Sequence, residues 1–357
     1  MEEIIKFKKS FLKGSFIEFF ENFNTENKAK KLEFIIYLKK INLDLFFYQG
    51  LKKIKKENHL DDELLNLLKQ EFLLEKGRDE FYKNQFQAIV NKANFPILLL
   101  KGWRLRQIIG FDLYKRSCDI DILVSEKDFK IAISFLKRDF NFFKKSEYIA
   151  YGQQCLLNEN SMCIDLHKKL IAFQTFDAFF NLSAKELLKE SYLAEREPNV
   201  SYYVFNLEME LIHLCIHFLL HHEGYGFILV YELKCLLNNH LLNINKERFI
   251  SLTEKHNCLS IVIYSLLIVQ ELCKLDDAVK NWIIKFVEEF DLNLHIRKSF
   301  NKEFSEHSFY KDKGISNEIL EKLLINNYKD KISFIKADIN FKTYCFFKSL
   351  GETIKVV

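Results

Sequence analysis

Two aspartates separated by one residue, in an apolar stretch, are the residues best suited to do chemistry. Asp119 and Asp121 alternate with Ile120 and Ile122 in a run that ends at Val124. Because side chains alternate along a strand, both carboxylates would project from one face of it. Carboxylates about 7 Å apart on one strand can jointly hold hard divalent cations. The spacing therefore predicts a metal-binding strand.

A third carboxylate follows on a later apolar segment. Residues 162–167 alternate in character, which puts Asp165 and His167 on one face of a second predicted strand. If this strand lies beside the one that carries Asp119 and Asp121, three carboxylates meet at one end of a sheet. The alternative is structural, since carboxylates at the end of a sheet also cap loops or pair with Lys and Arg. The convergence of three carboxylates favours the metal site.

The chain just before these aspartates offers a way to hold phosphate. An apolar strand over residues 96–101 ends in Lys101 and Gly102, and a short basic helix follows. Glycine lets backbone amides approach a phosphate closely, and a helix N-terminus is positive. Lys101 and Arg116 would add charge. Carboxylates that hold Mg²⁺ beside such a turn suit phosphoryl or nucleotidyl transfer, in which metal ions neutralise the triphosphate.

The periodicity of the apolar residues predicts the elements that must position these groups. Helical spacing runs from residue 1 to 93, and proline at 96 begins an α/β segment. The predicted helices and strands beyond it are a helix at 125–137, strands at 142–151, 153–157 and 162–167, helices at 206–222, 227–239, 246–271, 276–296 and 316–328, and a last segment to 350. This order predicts an α+β protein with a small mixed sheet.

Three regions follow from that order. They are an N-terminal helical region (1–94), an α/β core (95–200) and a larger C-terminal helical domain (201–357). No fixed-period repeat or low-complexity linker separates them.

The composition excludes several classes of protein. Lys and Arg total 53 against 49 Asp and Glu, so the net charge of +4 does not predict general binding to polyanions. The eight cysteines form no CxxC pair, and no secretory leader precedes them, which favours reduced thiols and a cytoplasmic protein. Charged residues interrupt every apolar run before it reaches the roughly 18–20 residues of a membrane span, so no membrane-spanning helix is expected.

Three blocks carry a resemblance to a known family. LLLKG at 98–102, DIDILV at 119–124 and IDLH at 164–167 resemble the nucleotidyltransferase superfamily, which has the DNA polymerase beta-like fold. They look most like a bacterial family of largely uncharacterised nucleotidyltransferases with LKG, DIDLLV and DLH blocks. The resemblance covers roughly residues 96–236. It implies that Asp119 and Asp121 bind the metal and that Asp165 is a ligand or the general base.

The resemblance also implies the reaction and its cofactor. A nucleoside monophosphate would pass from an NTP such as ATP to an acceptor, with release of pyrophosphate. Mg²⁺ would be the metal, with Mn²⁺ as the alternative. The acceptor could be a small molecule, a protein or tRNA, although the charge of +4 argues against a large tRNA footprint.

One residue departs from the superfamily's pattern. Trp103 follows Gly102, where the superfamily usually has Gly or Ser. Nucleotide binding is therefore expected to use Lys101, the backbone at Gly102 and Trp103, and Arg116. The same departure motivates an alternative, in which the protein is a catalytically inactive nucleotide- or metal-binding scaffold or regulatory module.

Histidines recur on one face of the helix predicted at 206–222. His213, His217 and His221 are spaced four residues apart, but Leu214 stands where an HExxH motif would have glutamate. Packing against the sheet is therefore favoured over zinc binding. The resemblance places this helix beside the active site, so His217 and His221 are candidates to contact nucleotide or acceptor. His167 is expected to orient Asp165 by a hydrogen bond.

Overall fold

The computed structural model describes most of the chain up to residue 290. The described residues are 2–109, 116, 119–145, 152–171, 180, 182–195, 201–222, 224, 226–290, 300, 304 and 309. The helices predicted at 316–328 and near the C-terminus lie outside these residues, as do residues 146–151 of the predicted strand 142–151.

Helices precede and follow a sheet, which confirms the predicted α+β class. The N-terminal helices are α1 (Glu2–Lys13), α2 (Phe16–Asn24), α3 (Lys28–Lys40), α4 (Asp44–Lys53) and the long α5 (Asp62–Lys92). The middle of the chain forms β1 (Leu98–Leu99), α6 (Lys101–Ile109), β2 (Ile120–Leu123), α7 (Phe129–Phe140), β3 (Phe143–Lys144), β4 (Gln153–Leu157), β5 (Cys163–His167), α8 (Ala184–Lys189), β6 (Ser191–Glu195) and β7 (Ser201–Phe205).

The C-terminal part is helical again. It comprises α9 (Leu207–Ile216), which continues into a π-helical turn (His217–His221), then α10 (Phe227–His240), α11 (Lys246–Lys255), α12 (Leu259–Leu272) and α13 (Asp277–Glu288). No helix in the described part of the chain is long and apolar enough to cross a membrane.

The strands form one mixed sheet. Its order in the described residues is β3-β4-β5-β2-β1-β7-β6. β2 pairs in parallel with β5, and β1 pairs in parallel with β7, while the other neighbours are antiparallel. The two strands that carry the candidate aspartates are therefore adjacent at the centre of the sheet.

The two faces of this sheet pack against different helices. Leu98 and Leu123 belong to a core shared with the N- and C-terminal helices, whereas Leu99 and Ile122 belong to a second core with α5 and α7. This division follows from the alternation of side chains along β1 and β2. Asp121 lies two residues before Leu123, so it shares the face that meets the larger core.

Helices from both ends of the chain build the larger core together. The ring of Phe7 in α1 lies 6.0 Å from that of Phe47 in α4 and 6.3 Å from that of Phe227 in α10, measured between centroids. Most of α12 is completely buried in the same core. The helical parts therefore form one support for the sheet.

Three local features differ from the sequence-based prediction. The helix predicted at 246–271 is two helices, because the chain turns at Asn257, whose φ is +55°. Only Leu98–Leu99 of the strand predicted at 96–101 pairs as a strand, and Lys101 already opens α6. The β6–β7 hairpin was not predicted.

Arg116 ties the segment before β2 to the N-terminal helices. Its Nη2 donates to Asp44 Oδ2 at 2.6 Å and to Glu71 Oε2 at 2.8 Å. Asp44 is 1% exposed and begins α4, and Glu71 also pairs with Lys39 of α3. Burial alone would lower the pKa of Arg116, but the two carboxylates raise it above its ordinary value. Since Arg116 lies three residues before Asp119, this contact positions the start of β2.

A buried carboxylate in α9 stands apart from these ion pairs. Glu210 is 0% exposed, and neither of its oxygens has a hydrogen-bond partner among the described residues. Burial raises the pKa of Glu210 to about 7, Arg104 opposes this shift and Glu232 adds to it. Glu210 therefore loses its proton in the folded protein only near neutral pH.

We expect Asp44→Asn to lower the free energy of unfolding by about 2 kcal/mol, because it leaves Arg116 in a partly buried place with one counter-charge fewer. Urea unfolding measures this. The control is Glu126→Gln, since Glu126 is 69% exposed and lies 3.7 Å from Lys168, and this substitution should cost no more than about 0.5 kcal/mol. Equal losses in the two variants would contradict the anchoring role of Arg116.

We expect the stability gained by Glu210→Gln to grow with pH. The pKa of Glu210 is raised on folding, so its stabilising contribution is complete below the unfolded pKa and is lost as pH rises through about 7. The variant should gain about 3 kcal/mol relative to the parent between about pH 4 and pH 8, at about 1.4 kcal/mol per pKa unit. Urea unfolding at the two pH values measures this difference, and because other titrating groups are common to both proteins, a pH-independent difference would refute the assignment.

Candidate active site

The parallel pairing of β2 with β5 creates the site. Its register places Asp121 opposite Asp165 and Leu123 opposite His167. Oxygens of Asp121 and Asp165 and a ring nitrogen of His167 lie within 4.8 Å of one another. The adjacency on which the sequence-based hypothesis depended is therefore present.

Asp121 is buried and held as a carboxylate. Lys101 Nζ lies 2.8 Å from its Oδ1, and His167 Nε2 lies 3.2 Å from the same oxygen. Burial would raise the pKa of Asp121, but Lys101 and His167 outweigh it and hold that pKa well below its usual range. The negative charge of Asp121 is thus present at neutral pH.

Lys101 lies at the junction of β1 and α6, where the chain bends. Gly102 has a φ of +27°, and a Cβ added there would meet no described atom within 4 Å. Burial by itself would lower the pKa of Lys101, but three nearby carboxylates outweigh it and raise that pKa; they belong to Asp121, Asp119 and Asp165. The bend therefore presents an ammonium group to all three carboxylates and leaves open space beside the glycine.

Asp165 and Asp119 are more accessible than Asp121. Asp165 is half-buried, and its Oδ2 accepts a hydrogen bond from Gln153 Nε2 at 2.8 Å. Asp119 is half-buried directly before β2 and lies outside the closest group of ligand atoms, but its charge acts on Lys101. Its position two residues before Asp121 puts it on the same face of the sheet.

His167 bonds to a different carboxylate from the one expected. Its Nε2 lies on Asp121, whereas Asp165 is bonded by Gln153. The prediction that His167 orients Asp165 is therefore wrong. Gln153 of β4 pairs directly across from His167 and supplies the hydrogen bond to Asp165 Oδ2. The other ring nitrogen, Nδ1, is buried without a hydrogen-bond partner in the described chain.

The side chains of two residues predicted to help bind nucleotide have partners within the fold. Arg116 bonds to Asp44 and Glu71, and the ring of Trp103 packs 5.9 Å from that of Phe86 in α5. Their side chains are therefore used by the fold. Two nearby arginines also have partners within the fold. Arg104 donates to Tyr192 Oη and to the Phe205 carbonyl, and Arg106 pairs with Asp79.

The histidines of α9 and the π-helical turn face the same site. His213 and His217 are buried, and Lys101 is one of the charges that lower the pKa of each. Burial is the largest cause and lowers the pKa of His213 to about 3, and likewise that of His221 to about 3. These rings are therefore neutral. They add hydrogen-bonding groups to the site without adding charge.

The π-helical turn alters the histidine spacing that the sequence suggested. His222 Nε2 lies 3.2 Å from His217 Nε2, and the rings of His217 and His221 are 4.8 Å apart. None of these histidines belongs to a group of three ligand atoms within metal-binding distance in the described part of the chain. Packing of these histidines, which the sequence favours over zinc binding, stays a prediction. π-helical turns often occur at functional sites.

Sequence reasoning missed the contribution of β4. Gln153 and Cys155 alternate along this strand and share the face of Asp165. The period-two pattern at 153–157 predicts a strand, but it does not predict which strand pairs with it. Register across β4 and β5 is what brings the two residues to the site.

The chain is similar to the crystal structure of JHP933 from Helicobacter pylori, with 12% sequence identity, coverage of 78% of this chain and 98% of that chain, and a TM-score of 0.34. No curated protein sequence matches the chain.

A family described as "Uncharacterised nucleotidyltransferase" matches residues 28–274. The match is well over half of the 357 residues and includes the three aspartates, Lys101 and the histidine helix. The chain therefore belongs to this family of uncharacterised nucleotidyltransferases.

Proposed function

We propose that this protein is a divalent-metal-dependent nucleotidyltransferase. It transfers a nucleoside monophosphate from an NTP to a hydroxyl or phosphate of an acceptor and releases pyrophosphate. The observation that carries the proposal is the placement of Asp121 beside Asp165 on adjacent parallel strands, with Lys101 against them. Family membership supports the same reaction class. In this proposal the region 95–200 carries the chemistry, and the regions 1–94 and 201–357 support it.

The side chains present fit a divalent cation. Two carboxylates and one imidazole lie within 4.8 Å of one another, and Asp119 adds a third carboxylate close by. Asp119, Asp121 and Asp165 would hold Mg²⁺, which prefers oxygen ligands, or Mn²⁺, which also accepts imidazole. When bound, the metal would neutralise triphosphate charge and lower the pKa of the attacking group.

The two best-placed aspartates differ in a way that suggests different roles. Asp121 is buried and its carboxylate is already bound by Lys101 and His167, so it suits a permanent ligand. Asp165 is half-buried, and one of its oxygens is bonded to Gln153. Its other oxygen, Oδ1, has only a long contact of 4.0 Å from Cys163 Sγ and is the atom proposed to accept a proton from an acceptor hydroxyl. Asp165 is therefore the general base in this proposal.

Lys101 and Gly102 are the proposed phosphate-binding groups. Lys101 balances the carboxylates in the protein alone, and a bound cation would replace it in that role. Its ammonium group would then be free to bind the triphosphate. Gly102 leaves open space at the start of α6, where backbone amides have no partner within the helix. Arg116 acts by positioning Asp119 rather than by touching phosphate.

The neutral histidines line the remaining side of the site. His217 and His221 are proposed to contact nucleotide or acceptor, because hydrogen bonds from uncharged rings orient a substrate without competing with the cation. The acceptor is a small molecule, a protein or RNA in this proposal. Labelled product recovered from each of these fractions identifies the class.

The test is label transfer from α-labelled NTPs with Mg²⁺ or Mn²⁺ and cell extract as the source of acceptors. We expect transfer with release of pyrophosphate, and a loss of about 100-fold or more in Asp121→Asn and Asp165→Asn, since each removes a proposed ligand or base. Asp139→Asn is the control, because Asp139 is exposed and pairs with Arg138 outside the site.

Two results would count against the transferase. One is the absence of labelled product with every NTP, and the other is unchanged transfer in Asp121→Asn. Calorimetry then tests the alternative, an inactive scaffold: this alternative predicts nucleotide binding without release of pyrophosphate.

A further inference from the structure

Two thiols lie beside Asp165, on the side opposite Asp121. β5 lies between β2 and β4, and the register of β4 places Cys155 directly across from Asp165. Cys163 comes two residues before Asp165 in β5 and therefore shares its face of the sheet. The Sγ atoms of Cys155 and Cys163 are 2.9 Å apart, and Cys163 Sγ is 4.0 Å from Asp165 Oδ1.

These three groups form a set of potential metal ligands. Their ligand atoms all lie within 4.8 Å of one another. Two sulfurs and one carboxylate are ligands that Zn²⁺ and similar cations accept, whereas Mg²⁺ takes oxygen ligands. The set therefore differs in chemistry from the aspartate site that it adjoins.

The present distances require only a small adjustment. Zn–S bonds of about 2.3 Å in a tetrahedral site put the sulfurs about 3.8 Å apart. The sulfurs must then separate by roughly 1 Å from their 2.9 Å contact. Cys155 is only partly buried, so rotation of its side chain can provide this movement, while Cys163 is buried and fixed. Water can complete the coordination from the accessible side.

The carboxylate distinguishes a cation site from a pair of thiols that merely forms a disulfide. A disulfide would join the two sulfurs and make no use of Asp165. A divalent cation engages all three groups and offsets two of the three negative charges of two thiolates and one carboxylate. Binding would release both thiol protons to solvent, since the thiolate is the ligand.

We propose that Cys155, Cys163 and Asp165 bind one thiophilic divalent cation, with Zn²⁺ as the physiological example. This site adjoins the one proposed for Mg²⁺ or Mn²⁺, and Asp165 belongs to both. Occupancy by a thiophilic cation therefore withdraws the general base and inhibits transfer. That consequence rests on the proposed function, whereas the binding itself does not.

The experiment titrates the reduced, metal-free full-length chain with Cd²⁺ and records thiolate-to-metal charge-transfer absorbance. The affinity for Zn²⁺ is measured by competition with a chromophoric chelator. We expect saturation at a single ion per chain. We also expect a loss of affinity of about 10-fold or more in Cys155→Ser, because removing a direct ligand should cost at least as much as removing a residue that only orients a ligand. Cys163→Ser should lose affinity for the cation to a similar extent. Cys155→Ser is the decisive variant, because the partly exposed side chain at this position tolerates a hydroxyl.

Cys235→Ser is the matched control, since Cys235 is also partly buried but belongs to α10. It should bind like the parent, and circular dichroism verifies that each variant is folded. Absence of the charge-transfer band, or an unchanged band in Cys155→Ser, would overturn the proposal. Conversion of the pair to a disulfide by oxidised glutathione, in a chain that binds no Cd²⁺ when reduced, would overturn it too. If the charge-transfer band depends on Cys155 but the protein shows no transferase activity, the cation site is supported. Only the proposed inhibition of transfer is then refuted.

Discussion

The contact between Lys101 and Asp121 is the interaction on which this site depends. The register of β2 and β5 forces Asp121 and Asp165 to lie side by side, and like charges on neighbouring strands repel each other. Burial of Asp121 adds the cost of removing a carboxylate from water. An ammonium group at 2.8 Å offsets both effects. Without it, the pairing of the two central strands would bring uncompensated charge into the core.

Several features of the fold follow from the need to place that ammonium group. β1 is short, and the bend at Gly102 lets α6 begin immediately after it, so that Lys101 can reach across to β2. Arg116, just before β2, anchors the start of that strand by its bonds to α4 and α5. α9 covers the site with neutral histidines, which add no further cation to compete with Lys101. The helical regions therefore serve the electrostatics of the site as well as the packing of the sheet.

Much of the site could be predicted from the sequence because alternation along a strand is a local property. The period of the apolar residues predicts that Asp119 and Asp121 share one face of a strand and that Asp165 lies on a second strand, whereas the pairing of these strands was only a hypothesis before the structure. The partners of the long basic and aromatic side chains were not predictable in this way. Arg116 bonds to residues 72 and 45 positions earlier in the chain, and Trp103 packs on α5. Such contacts depend on how helices and sheet come together, which a local pattern does not contain.

The same limit explains the remaining differences. The bond of His167 to Asp121 and the approach of Cys155 to Asp165 both depend on which strands are neighbours and in which register. The π-helical turn at His217–His221 changes the histidine positions that a regular helix would give. Sequence reasoning thus identified the strands that carry the candidate aspartates, whereas tertiary contacts decide which of their neighbours lie at the candidate site and which hold the fold.

The most direct measurement is a crystal structure with Mn²⁺ and a non-hydrolysable NTP, with the metal located by its anomalous scattering. We expect Mn²⁺ bound directly to Asp121 and Asp165. We also expect Lys101 Nζ to leave Asp121 for the triphosphate. A structure in which Lys101 stays on Asp121 while nucleotide and metal bind elsewhere would contradict the account.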